Sequence, residues 1–182
     1  MIIGLCGAAG SGKNAVASIL RRNHSFGVIA FADPIYDAVA AITGMHRREL
    51  EDRTIKERVI PWLGKSPREL LQTLGTEWGR NTVRDDIWIQ RAMRAARDYR
   101  RVAICDCRFA NEAEAIRRAG GFVWQVRRQA AGLAGSAGRH ASEAGIPDDL
   151  VDLRIDNDGS LADLEMAVNA ARDTLHVATI QV

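Results

Sequence analysis

The first residues able to do chemistry stand near the start of the chain. Gly7, Ala8, Ala9, Gly10, Ser11 and Gly12 form a run of small residues that ends on Lys13. Glycines let backbone N–H groups turn inward around a polyphosphate, and a helix beginning at the end of such a loop adds its positive end. Lys13 can then reach the outer phosphates as a point charge. The run fits G-x-x-x-x-G-K-[ST] except at its last position, where Asn14 replaces the hydroxyl residue that ordinarily sits on magnesium.

A second set of polar residues lies far downstream. Asp106 and Arg108 follow the apolar run Arg101 to Cys105, and Arg127 and Arg128 follow Phe122 to Val126. A carboxylate after a buried strand beside a phosphate loop is placed to organise a metal, and Asp106 is the candidate; as a bland alternative it caps the helix near Asn111. Arg108, Arg127, Arg128 and Arg139 form a set that can converge on a transferring phosphate, since phosphoryl transfer needs positioning and positive charge more than a covalent nucleophile. Any one of these arginines is more often a solvated surface residue. His140 with Ser142 and Glu143 imitates a hydrolase triad, but no nucleophile elbow surrounds the serine.

These residues need elements to hold them. Ile2 to Cys6 reads as a buried strand, and Ala15, Val16, Ile19 and Leu20 recur at helical spacing after Lys13. Val28 to Ala32 is a second apolar run, followed by Asp33 as N-cap and a helix that carries Ile35, Ala38, Val39 and Ile42 and stops near Gly44. Between His46 and Arg58 the chain is densely charged and helical in pattern. Ser66, Pro67 and Glu69 spell a capping box whose helix turns Leu70, Leu71 and Leu74 inward and Arg68, Gln72 and Arg80 elsewhere, with a break at Gly75-Thr76. A further amphipathic helix runs to Asp98, with Trp88 at core spacing. Asn111 to Ala119 is a short helix, Leu150 to Ile155 the last strand, and Ser160 caps a helix from Leu161 to Leu175. The tail, His176 to Val182, reads as an edge strand or a packed extension. Gln129 to Arg139, rich in Ala, Gly and Ser, reads as a lid or partly ordered loop. Strands alternating with helices predict an α/β fold with a five-stranded parallel sheet covered on both faces.

Bulk properties bound the rest. The chain has 182 residues, 25 basic and 23 acidic, for a net charge of +2, which gives no reason to invoke nucleic acid. Three cysteines make no disulfide framework and no metal cluster. No charged leader and no apolar stretch of bilayer length is evident, so the expectation is a cytoplasmic protein without membrane partners.

Taken in order, GLCGAAGSGKN, FADPI (Phe31 to Ile35), PRELLQTLGTE (Pro67 to Glu77), CDCRFANE (Cys105 to Glu112), HASEAGIP (His140 to Pro147) and IDNDGSLADL (Ile155 to Leu164) resemble the phage-type deoxynucleoside monophosphate kinases, over nearly the whole chain. The resemblance implies a single three-layer P-loop kinase domain. Its core would be residues 1–32, 101–127 and 148–182, with a helical acceptor-binding insert at 33–100 and an arginine-bearing lid at 128–147. It implies transfer of the ATP γ-phosphate to a deoxynucleoside 5′-monophosphate, with Mg2+. Gly7, Gly10, Ser11, Gly12, Lys13 and Asn14 would hold the ATP phosphates, and Asn157 and Gly159 would border the donor base. Lys13, Asp106, Arg108 and Arg128 would act on the transferring group, with Asp106 meeting the metal through water. Asp33, Asp37, Arg68, Gln72, Thr76 and Trp88 would bind the acceptor. Three features depart from the family pattern: Asn14, where family members often carry Asp; Gln129, in place of a Pro; and the short stretch from Gly44 to Ser66, which in the phage enzymes helps form a dimer. A homodimer is therefore left open. A dephospho-coenzyme A kinase and a module that holds ATP without transfer stand as alternative readings.

Overall fold

The computed structural model describes residues 1–129 and 145–180. Arg139, His140, Ser142, Glu143 and most of the expected lid lie outside the described residues. The chain divides into two compact units, one made of Met1–Ala30 and Met93–Val182, the other of Phe31–Ala92.

The first unit is built on a five-stranded sheet in the order β2-β3-β1-β4-β5. Its strands are β1 (Ile2–Cys6), β2 (Gly27–Ile29), β3 (Val102–Ile104), β4 (Phe122–Arg127) and β5 (Leu153–Asp156), and every pairing is parallel. Parallel strands buried on both faces need nearly continuous apolar runs, which Ile2 to Cys6 and Val102 to Ile104 supply. Helix α1 (Lys13–His24) and the last helix, α8 (Leu161–Ile180), cover one face. Ile3 and Leu5 of β1 pack there with Val16, Ile19 and Leu20 of α1, Trp124 and Val126 of β4, and Leu164 and Val168 of α8. Each fully buried aliphatic side chain is worth roughly 1.5–3 kcal/mol. Gly4, whose position alternates to the opposite face, meets Ile116 of α7 (Ala110–Arg118). The expected five-stranded parallel α/β fold is the fold observed.

Element boundaries move where local chemistry competes with pattern. The second apolar run yields only a three-residue β2, and Ala30 to Ala32 leave the sheet. Of the tail, residues 176–180 form no edge strand, because α8 continues to Ile180.

In the second unit, α2 (Asp33–Thr43) stops at Gly44, which takes φ 72 as a left-handed cap. Asp33 is not its cap: Ala32 holds that position, with no side-chain cap bond, and Asp33 is the first helical residue. The charged stretch after it breaks into α3 (Arg47–Glu51) and α4 (Arg53–Lys56), because Asp52 accepts bonds from the amides of Thr54 and Ile55 and restarts the helix. Ser66 caps α5 (Pro67–Gln72) with the expected box, Ser66 N–H donating to Glu69 Oε2 at 2.8 Å. The expected break at Gly75-Thr76 is absent. The helix instead widens into a π-helix, Thr73–Val83, that leads to α6 (Ile87–Ala96). Its buried face is Gly75, Gly79 and Arg80, while Leu70, Leu71 and Leu74 are only half-buried.

Candidate active site

The loop between β1 and α1 is shaped by its glycines. Gly7, Gly10 and Gly12 take φ of 128, 82 and 109, a region that side chains disfavour. A Cβ on Gly7 would lie 2.2 Å from the carbonyl oxygen of Val126, so the loop is pressed against the end of β4. Helix α1 then begins at Lys13 with no side-chain cap and no acidic residue in its first turn. Its leading N–H groups and positive dipole end are thereby left for an anion. Lys13 Nζ donates to the carbonyls of Gly7 at 2.6 Å and Ala8 at 2.9 Å, spanning its own loop. Ser11 is fully buried and its Oγ has no hydrogen-bond partner among the described residues. Asn14 is exposed on the first turn of α1.

Asp106 enters this neighbourhood through strand pairing. β3 lies beside β1, and Cys107 N–H donates to Leu5 O at 3.0 Å, which sets Asp106 next to the root of the loop. Helix α7 does not use it as a cap, since Phe109 holds that position. Glu112, buried on α7, reaches back instead. Its Oε2 accepts from the amides of Arg108 at 2.7 Å and Phe109 at 3.1 Å, fixing the backbone that carries Asp106 and Arg108. The sequence hid this role because the cap residue is Phe109, outside the usual Ser/Thr-x-x-Glu signature. Among the described residues no three His, Cys, Asp or Glu side chains gather as a metal cage. One carboxylate beside a phosphate cradle is nevertheless a donor set that suits Mg2+, which keeps several waters and binds largely through substrate phosphates.

The ends of β4 and β5 complete this side of the sheet. Arg127 forms a forked pair with Asp156, at 2.8 and 3.0 Å, which raises the pKa of its guanidinium. Asn157 N–H donates to Arg127 O at 2.8 Å, and Gln129 N–H to Asp158 Oδ1 at 2.8 Å. Arg128, exposed, lies between them. Gly159 opens onto the Ser160 cap, a Cβ there lying 2.8 Å from Asp163 Oδ2.

In the second unit, Asp33 and Asp37 are joined by a residue that the sequence reading missed. Arg47 donates to Asp33 Oδ1 at 2.6 Å, Asp37 Oδ1 at 3.4 Å and Glu51 Oε1 at 2.8 Å, and sits 4.5 Å from the centre of the Tyr36 ring. No local pattern flags its hold on Asp33 and Asp37, because these lie on another helix, while Glu51 is its neighbour on α3. Arg68, nearly buried, donates to Glu57 at 2.5 Å. Gln72 Nε2 is buried with no hydrogen-bond partner among the described residues. Thr76 sits half-buried in the π-helix. Trp88 is buried, its indole N–H donating to Gly75 O at 2.7 Å, and thus serves as a strut for the π-helix.

A phosphate loop leaving the central strand of a parallel sheet defines a protein of the nucleoside-polyphosphate-binding class. Residues 42–168 match the family of deoxynucleotide monophosphate kinases. A protein of Acanthamoeba polyphaga mimivirus, provisionally named a deoxynucleotide monophosphate kinase, is 31% identical over 145 residues, covering 70% of this chain and 74% of its own. The chain belongs to the deoxynucleotide monophosphate kinase family. Among solved structures it is similar to a dephospho-CoA kinase from Campylobacter jejuni, at 14% identity, TM-score 0.49 and 98% coverage of both chains. It is similar also to a shikimate kinase from Aquifex aeolicus, at 13% identity, TM-score 0.47 and 99% coverage of both. No helix among the described residues is long and apolar enough to cross a membrane.

Proposed function

We propose that this protein transfers the γ-phosphate of ATP to the 5′-phosphate of a deoxynucleoside monophosphate, giving ADP and the diphosphate. The observation that carries this reading is the uncapped start of α1 behind three left-handed glycines, in a chain of this family. Loop amides bind the donor phosphates, and Lys13 trades its carbonyl partners for the transferring group. Asp106 would hold Mg2+ through water; the ion supplies neutralising charge on the β- and γ-phosphates. Arg108 and Arg128 add positive charge as the bond to the leaving oxygen lengthens. The acceptor is read by Asp33, Asp37, Arg68, Gln72 and Thr76, with Trp88 supporting them. The unpartnered amide of Gln72 supports a polar contact there, since a buried donor without a partner costs about 1–3 kcal/mol until one is supplied.

An ADP-release assay with ATP and Mg2+ tests the proposal, over all common ribo- and deoxynucleoside monophosphates and dephospho-coenzyme A. The expected result is turnover with at least one deoxynucleoside monophosphate, reduced at least ~100-fold in Lys13→Ala. Turnover with dephospho-coenzyme A alone, or with no acceptor, overturns it.

A further inference from the structure

Asn157 follows β5, the edge strand of the sheet, yet its side chain reaches the phosphate loop. Its Nδ2 donates to the carbonyl oxygen of Ser11 at 2.8 Å. The same atom lies 2.2 Å from where a Cβ on Gly12 would stand, so the amide occupies the space that Gly12 leaves open. Its own backbone N–H is held by Arg127 O at 2.8 Å, which anchors the side chain to the end of β4. The carbonyl it holds belongs to the peptide joining Ser11 to Gly12, immediately before the uncapped first turn of α1. A bond at that carbonyl sets the direction in which the Gly12 N–H points, because the two belong to one rigid planar peptide unit.

We propose that Asn157 is a positioning residue of the phosphate loop: its side-chain amide pins the Ser11–Gly12 peptide so that the loop is set for a polyphosphate before one arrives. This deepens the proposed function and rests on it. It differs from a role at the donor base, where Asn157 would act on the nucleoside and not on the phosphates. Pre-organisation of this kind raises affinity by removing the ordering that binding must otherwise supply.

Tripolyphosphate separates the two roles, since it has phosphates and no base. Calorimetric titration of the whole protein with Mg-tripolyphosphate and with Mg-ATP is expected to show Asn157→Ala weakened about fivefold to tenfold toward both, the loss of one hydrogen bond's worth of order. Asn157→Asp keeps the size and replaces the donor by an oxygen facing Ser11 O; it is expected to lose at least as much, and provides the measurement if the alanine variant folds poorly. General destabilisation lowers the melting temperature and the active fraction but leaves the dissociation constant of the folded molecules unchanged. Tripolyphosphate affinity unchanged in the folded variants, with ATP affinity reduced, overturns the inference in favour of a base contact. If the unsubstituted protein binds tripolyphosphate and the variants lose it while no nucleotide is phosphorylated, the inference stands and the kinase reading falls. If the unsubstituted protein does not bind tripolyphosphate, the inference falls, and the ADP-release assay alone decides the kinase reading.

Discussion

Arg47 shows how a single side chain can organise a patch of a unit. Burial pulls its pKa down, but the carboxylates of Asp33 and Glu51 outweigh that and raise it above the ordinary arginine value. Asp33 and Asp37 are therefore held to one guanidinium, which they share with Glu51. Arg68 is the more sheltered cation, with 14% of its side chain exposed and Glu57 as partner. Arg68→Ala is expected to raise the acceptor Michaelis constant by about tenfold or more, with a smaller change in turnover, as loss of a charge-assisted contact to the acceptor would. Steady-state kinetics with varied acceptor checks this, and an unchanged constant removes Arg68 from the acceptor site. Cys6, at the root of the phosphate loop, is no nucleophile: burial pushes its thiol up to about 11, so it stays protonated at neutral pH.

At the scale of elements, caps and close packing account for what periodicity missed. Glu69 accepts from the backbone and side chain of Ser66 and from Lys65, which holds its carboxyl below the ordinary value of 4.5. A depressed carboxylate contributes stability above its unfolded pKa and loses it as pH falls through the folded value. Glu69→Ala should accordingly melt below the parent at pH 7, with the gap narrowing as pH falls below 4.5; thermal melts from neutral into acid pH check it, and a constant gap refutes it. The π-helix offers a test of opposite sign to simple propensity. Ala for Gly in an ordinary helix stabilises by about 0.5–1 kcal/mol. At Gly79 a Cβ would stand 2.5 Å from Trp88 Cζ2. Gly79→Ala is thus expected to destabilise by about 1–3 kcal/mol in urea unfolding, because the indole that fastens Gly75 must move.

For the molecule as a whole, the sheet-based unit carries the phosphate loop proposed to hold the donor, and the helical unit carries the residues proposed for the acceptor. Ligand binding to the folded state alone stabilises it by about 2.7 kcal/mol at a concentration of 100 Kd. For a chain of this size that corresponds to a rise of about 5–10 °C in melting temperature. Mg-ATP is expected to produce such a rise in the parent protein and little of it in Lys13→Ala. Differential scanning fluorimetry measures it, and equal rises in both proteins would show that Lys13 contributes nothing to holding the donor.

Local chemistry by itself determined the strand, loop and helix around Lys13, the Ser66 and Ser160 caps, and the parallel five-stranded class, because each rests on near neighbours or on a repeating apolar pattern. Only tertiary structure decided that Arg47 gathers Asp33 and Asp37 from another helix. It also decided that Asn157 grips a loop 146 residues earlier in the chain. Such contacts join residues whose separation in sequence carries no signal, so packing alone selects them. The π-helix belongs with these: Gly75-Thr76 suggests a break when read locally, yet the turn stays continuous, with Ile35 packed over Gly75 and the Trp88 indole filling the space beside Gly79.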